Sequence, residues 1–291
     1  MDIRLKGNKG VTFIEILISL VISSILIAAF YRVFISQQQT YSVQEQVVDM
    51  QQNARIGINR MMSEIRMAGF GNVGDVLGLV GGVNGFTQVV TSGVNSITIV
   101  GGFKQIRRDN GTPILISSAS GNQITLNYAA DDFDGAAAHR FISIGGVESN
   151  TVSSRNVRVL TLGSNLKLNH RPDLYTIPIF KIQAITYTTG VSDGKPVLQR
   201  NENTAGGAQP LADNIENIQF DYLDANGIKL ELPIANPGII RMIKVTVRAR
   251  TDMVDPKFKG GEAGDQGLDQ GTYRIRQIAS NIYLRNMGLS P

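Results

Sequence analysis

Apolar residues run almost unbroken from Val11 to Phe30: VTFIEILISLVISSILIAAF, twenty residues whose one charge is Glu15. A helix of about this length spans the hydrocarbon core of a bilayer. Past Phe30 the apolar positions thin to a stripe. Val47, Ala54, Ile58, Met61 or Met62, and Ile65 recur three, four or seven residues apart, with Gln and Glu on the other face, which is the period of an amphipathic helix. No glycine or proline interrupts the chain from Val11 to Ile56, so the pattern predicts one continuous helix from Val11 to Ala68. Gly57 costs such a helix about 1 kcal/mol, and Gly69 is its natural stop. The stripe is too short and irregular for the sustained heptads of a free coiled coil.

After Phe70 the period changes from helix to strand. GNVGDVLGLVGGVNGF (71–86) reads as a glycine-rich loop. Short runs rich in β-branched residues follow: SITIV (96–100), PILIS (113–117), QITLN (123–127), RFISI (140–144) and VRVLTL (157–162). Longer ones come next, YTIPIFKIQAITYTT (175–189), NIQFDYL (217–223), IKLEL (228–232) and IIRMIKVTVRAR (239–250). Lys244-Val245-Thr246-Val247-Arg248 alternates cleanly, so that strand has one wet face. Asn226-Gly227 between two such runs is a strong hairpin turn. The fold class expected is α+β: a long N-terminal helix, its first half apolar enough for a membrane, packed on a mostly antiparallel β-sheet head.

Charge orients the helix. Arg4, Lys6 and Lys9, with Asp2 as the one acid, precede the apolar run, and the first cations after it are Arg32 and Arg55. The positive-inside rule then keeps the N-terminus in the cytoplasm and sends the rest outside. A secretory signal peptide wants a shorter apolar region and a small-x-small cleavage site, which Ala28 and Ala29 do not supply. A plain signal anchor accounts for the hydrophobicity but not for Glu15, since an acid inside a bilayer costs about 2.5 kcal/mol or more unless paired. The absence of cysteine excludes a disulfide framework and a thiolate metal site. A formal charge of +4 over 291 residues does not by itself imply nucleic acid.

The segment Gly10-Val11-Thr12-Phe13-Ile14-Glu15, set behind a short basic leader and opening an apolar run, resembles the processing site of type IV prepilins. The resemblance implies a type IV pilin-like fold in which a dedicated peptidase cuts after Gly10 and the new N-terminus, Val11, is methylated. Val11 stands where the family usually has Phe or Met. Glu15 is then the fifth mature residue. Cleavage would free an ammonium at Val11 just over one helical turn from Glu15, and a buried carboxylate needs a cation within hydrogen-bond reach. Its own N-terminus or that of a neighbouring subunit could serve, the second setting the axial register of a filament; alternatively Glu15 snorkels to the cytoplasmic interface. The implied organisation is a leader over 1–10, a transmembrane or filament-core helix over 11–36, an amphipathic continuation over 37–69 and a β-rich head over 70–291.

QQNARIGINRMMSEIRMAGF (51–70), with Arg55, Glu64, Arg66 and the closing Ala68-Gly69-Phe70, is similar to the end of the N-terminal helix in PilW-type minor pilins and in the J-type pseudopilins of type II secretion. LADNIENIQFDY (211–222), VTVRART (245–251) and YRIRQIASNIYLRN (273–286) are also similar to PilW-type sequences; residues 71–210 resemble no named pattern and read as an enlargement of the head. The resemblance implies a minor pilin that primes or joins assembly of a type IV pilus near its tip, with adhesion as a second role. Its partners would be the major pilin, other minor pilins, the prepilin peptidase, the inner-membrane assembly platform and membrane lipid. It would be a single-pass inner-membrane protein with its head in the periplasm, later extracellular in the pilus. The alternatives are a J-type pseudopilin and a membrane-anchored periplasmic enzyme or adhesin. The chain would be a substrate of the peptidase, not itself an enzyme, with no cofactor.

Other candidate chemistry is thin. Asp131, Asp132 and Asp134 cluster within Asp131-Asp132-Phe133-Asp134-Gly135 but lack the spacing and distal glutamate of a calcium loop, so a solvated turn is expected. GGEAGDQGLDQG (260–271), with Glu262, Asp265 and Asp269, reads as a flexible loop. His139 and His170 lack the acid and serine context of a triad. The glycines of 71–85 do not follow phosphate-loop spacing. Lys104, Arg107 and Arg108 form a small basic cluster without interleaved aromatics, so nucleic acid is not expected as a partner.

Overall fold

The computed structural model describes residues 11–133, 140–167, 176–255, 258 and 273–287. Helix α1 (Phe13–Arg66) follows from the uninterrupted run of helix formers, and the chain divides into two units after Asp49. In the first unit every described side chain is exposed or at most half-buried.

In the second unit the last turns of α1 bury Met50, Ala54, Gly57, Ile58, Met61, Glu64 and Ile65. Steps of three and four place these on one face. Met61, fully buried, takes the core position; Met62 is turned aside, its Sδ receiving the Ser280 hydroxyl at 3.0 Å. Gly57 sits where the helix comes closest to the sheet: a Cβ there would lie 2.7 Å from Leu198 Cδ2 and 3.6 Å from Ala212 Cβ. The helix ends at Arg66, short of the expected stop; a turn follows to Gly69, whose φ is +78° and whose N–H donates to the Val100 carbonyl at 2.8 Å. The glycine-rich stretch expected to be loop contains a short helix, α2 (Gly74–Leu77), because Val76 and Leu77 have a core to enter.

Fourteen strands follow among the described residues. The larger sheet comprises β1 (Val90–Ser92), β2 (Ser96–Gln105), β3 (Ile116–Ser120), β4 (Gln123–Leu126), β5 (Phe141–Ile144), β6 (Glu148–Asn156), β7 (Val159–Leu162), β8 (Ile179–Ser192), β9 (Lys195–Asn201) and β10 (Ala208–Asp213). The smaller comprises β11 (Ile215–Leu223), β12 (Lys229–Leu230), β13 (Met242–Arg250) and β14 (Ile275–Tyr283). The larger runs in the order β1-β2-β8-β5-β6-β7-β4-β3, with β9 also on β8 and β10 on β9; the smaller runs β12-β11-β13-β14. All their pairings are antiparallel. The expected hairpin forms between β11 and β12, with Gly227 at φ +76° and the Asp224 carboxylate accepting from Asn226 N and Ile228 N at 2.8 Å each.

Apolar clusters lie in this head, two of them formed as follows. Ile116, Ile124, Leu126, Phe133, Ile142, Val152, Leu160 and Ile179 belong to one; Val73, Val76, Leu77, Val100, Phe141 and Ile182 belong to the other.

Candidate processing and assembly site

The helix start is built by Thr12 and Glu15. The Thr12 carbonyl accepts Glu15 N at 3.1 Å and Ile16 N at 3.3 Å, the first bonds of the helix. In return Glu15 Oε2 accepts the Thr12 backbone N–H at 2.8 Å and the Thr12 hydroxyl at 2.8 Å, and Glu15 N donates to Thr12 Oγ1 at 3.4 Å. This reciprocal Thr-x-x-Glu exchange is a capping box, which satisfies amide groups that the first turn leaves without intrahelical partners. It gives Glu15 a second reason to sit at that offset, and its signal was in the sequence: a threonine three residues before the glutamate, just ahead of an apolar run. Val11 lies beside it, exposed. Gly10 falls outside the described residues.

The apolar run presents its side chains outward, with none of its most hydrophobic eighteen-residue window buried. By length and composition the helix is able to cross a membrane. Its serines do not spoil that. Of its three serines, Ser19 Oγ donates to the Glu15 carbonyl and Ser24 Oγ to the Leu20 carbonyl, each at 2.7 Å, so these two hydroxyls are satisfied within the helix.

A second polar centre escaped the sequence reading. Arg60 and Glu64 pair one turn apart as the spacing suggests, at 2.6 Å, but Glu64 faces inward rather than to solvent. Tyr187 of β8 donates its hydroxyl to Glu64 Oε2 at 2.5 Å, and Arg200 Nε of β9 reaches both carboxylate oxygens at 3.2 and 3.1 Å. Arg200 also pairs with Glu202 at 2.7 Å, whose other oxygen accepts Gln183 Nε2 at 2.8 Å. Burial, reinforced by the Glu64 carboxylate, pushes the Tyr187 phenol well up. Burial works against the charge on Arg200, but Glu64 and Glu202 more than offset it and raise its pKa. Burial likewise opposes the charge on Glu202, yet the Arg200 guanidinium wins and lowers its pKa.

The acidic cluster does not converge on a common centre where it is described. Asp131 pairs with Arg155, and Asp132 with Lys104 at 2.5 Å; Asp134, like His139, His170 and the 260–271 loop, lies outside the described residues. No group of three or more metal-ligating side chains gathers among the described residues. The basic cluster is tied down locally: Lys104 by Asp132, Arg107 by the Gly111 carbonyl at 3.0 Å, and Arg108 by lying 4.3 Å over the Tyr128 ring.

Residues 5–31 match the family described as the prokaryotic N-terminal methylation motif. No curated protein and no solved structure matches the chain. The motif supports a pilin or pseudopilin type of protein, processed by the prepilin peptidase, anchored through its apolar helix and assembled with other pilins.

Proposed function

We propose that this chain is a minor subunit of a type IV pilus, drawn from the inner membrane into the filament and acting near its tip to prime assembly. The observation that carries the reading is a coincidence at one place. The methylation motif over 5–31 runs into a helix whose apolar first half has no cover, and the one acid of that apolar run stands at the fifth position after Gly10. Such a helix needs either lipid or its own kind around it. The chain's length and its lack of a cysteine pair to close the head favour a minor over a major subunit, with surface adhesion as a second role. In this reading the protein is a substrate of the peptidase and catalyses nothing itself.

The test is the mass of the protein extracted from membranes. The native chain should begin at N-methyl-Val11, and Gly10→Leu should leave the full-length precursor in the membrane. A mature mass from the Gly10→Leu chain contradicts the leader assignment. The stretch 51–70 also resembles J-type pseudopilins; loss of protein secretion with piliation intact on deleting the gene would select that reading instead.

A further inference from the structure

The head carries a groove of about 510 Å³ beside the last turns of α1. Its floor is apolar and half-buried, made by Met62, Met67 and Phe70, and its rim carries Asn59, Arg66 and Arg285. Among the described residues neither guanidinium has a hydrogen-bond or ion-pair partner, although most cations of the head are paired. Two unpaired guanidinium groups over an apolar floor suit a pair of carboxylates borne on an apolar or amphipathic surface.

The chain contains that complement. Between Arg32 and Arg55 its only charges are Glu45 and Asp49. They are four residues apart, so on a helix they are neighbours on one face, roughly 5–6 Å between Cβ atoms. Both are exposed, and neither has an ion-pair partner among the described residues. Val48, 52% exposed, lies beside them and offers apolar contact.

We infer that the groove receives the Glu45–Asp49 turn of a second copy of this chain, the two carboxylates meeting Arg66 and Arg285 and Val48 meeting the methionine floor. The inference rests on the pilin reading and deepens it by naming a contact between subunits outside the apolar segment. Contacts among apolar helices are indifferent to sliding, whereas two charge pairs fix a stagger.

The absence of cysteine lets introduced cysteines report this contact without background. Full-length Val48→Cys and Ser63→Cys chains, which keep all four charges, are co-expressed in membranes and oxidised. A disulfide-linked dimer should form when both are present, and not when Val191→Cys, on the far end of β8, replaces Ser63→Cys. Arg66→Glu with Arg285→Glu in the Ser63→Cys chain should lower the dimer yield about tenfold, the combined effect of two partly exposed ion pairs. Adding Glu45→Arg with Asp49→Arg to the Val48→Cys chain should restore it. Absence of the dimer, indifference to charge reversal, or a link from Ser63→Cys to a different polypeptide overturns the docking. The mature mass is read from the same samples: a chain starting at Val11 without the dimer overturns the docking alone, and an uncleaved chain overturns the pilin reading and this contact with it.

Discussion

Glu64 is a carboxylate that is 4% exposed, on the inner face of a helix. An acid in that position is tolerated because four donor contacts reach it, three of them from strands more than a hundred residues away in sequence. That distance is why the i,i+4 spacing of Arg60 and Glu64 alone points only to a pair along the helix surface. The arrangement also sets what mutation should do. Truncating one partner of a buried pair leaves the other charged and unpaired, at a cost of about 3 kcal/mol or more, whereas replacing the whole group by apolar side chains of similar volume is often near neutral. Arg200→Met should therefore lower the denaturation midpoint of the detergent-solubilised chain markedly. The triple change Glu64→Leu, Tyr187→Phe and Arg200→Met should recover most of the loss. Equal destabilisation by the single and the triple change would show that packing, not charge, matters there.

Elements were legible where apolar periodicity defined them. The helix was expected over Val11 to Ala68 and runs Phe13–Arg66; the long run at 175–189 became β8 (Ile179–Ser192). Strand β6 shows the converse. ESNTVSSRN is polar and is not among the runs expected as strands, yet it lies between β5 and β7 with Glu148, Ser149 and Asn150 buried. Each is satisfied from afar: Glu148 by Lys167 N at 3.0 Å, Ser149 by the Asn72 carbonyl at 2.6 Å, and Asn150 by the Ser164 carbonyl at 3.1 Å. A polar strand of that kind depends on tertiary partners, which local pattern does not contain. Gly57 is the opposite case, a residue that weakens its own helix and earns its place through packing. Filling it tests the balance. Gly57→Ala gains about 1 kcal/mol of helix propensity and spends a comparable amount moving the Leu198 methyl, so its effect on the unfolding midpoint should be small. Gly57→Leu cannot be accommodated by one methyl and should destabilise by about 3 kcal/mol as the helix is pried from β9 and β10. A neutral Gly57→Leu would mean that the helix does not need its close approach there.

At the scale of the whole molecule, the capping that Glu15 performs and the assembly role proposed for it can be separated by one substitution. As the fourth member of Thr12-Phe13-Ile14-Glu15 it accepts the Thr12 N–H and starts the helix; as an acid in an apolar run it would need the ammonium freed at Val11. Glutamine serves a capping box nearly as well as glutamate, but it carries no charge to pair with an amine. Glu15→Gln should therefore keep the helix start and be cleaved normally, yet fail to enter filaments, as Glu15→Ala also should. The readouts are the mature mass in membranes and the amount of subunit in sheared pili. If Glu15→Gln assembles and Glu15→Ala does not, capping is the function that assembly requires, because the amide retains the acceptor and loses only the charge. If both assemble, the carboxylate reaches the aqueous interface in the native membrane, and the register of the filament must come from contacts farther along the chain, of which the one proposed for Glu45 and Asp49 is a candidate.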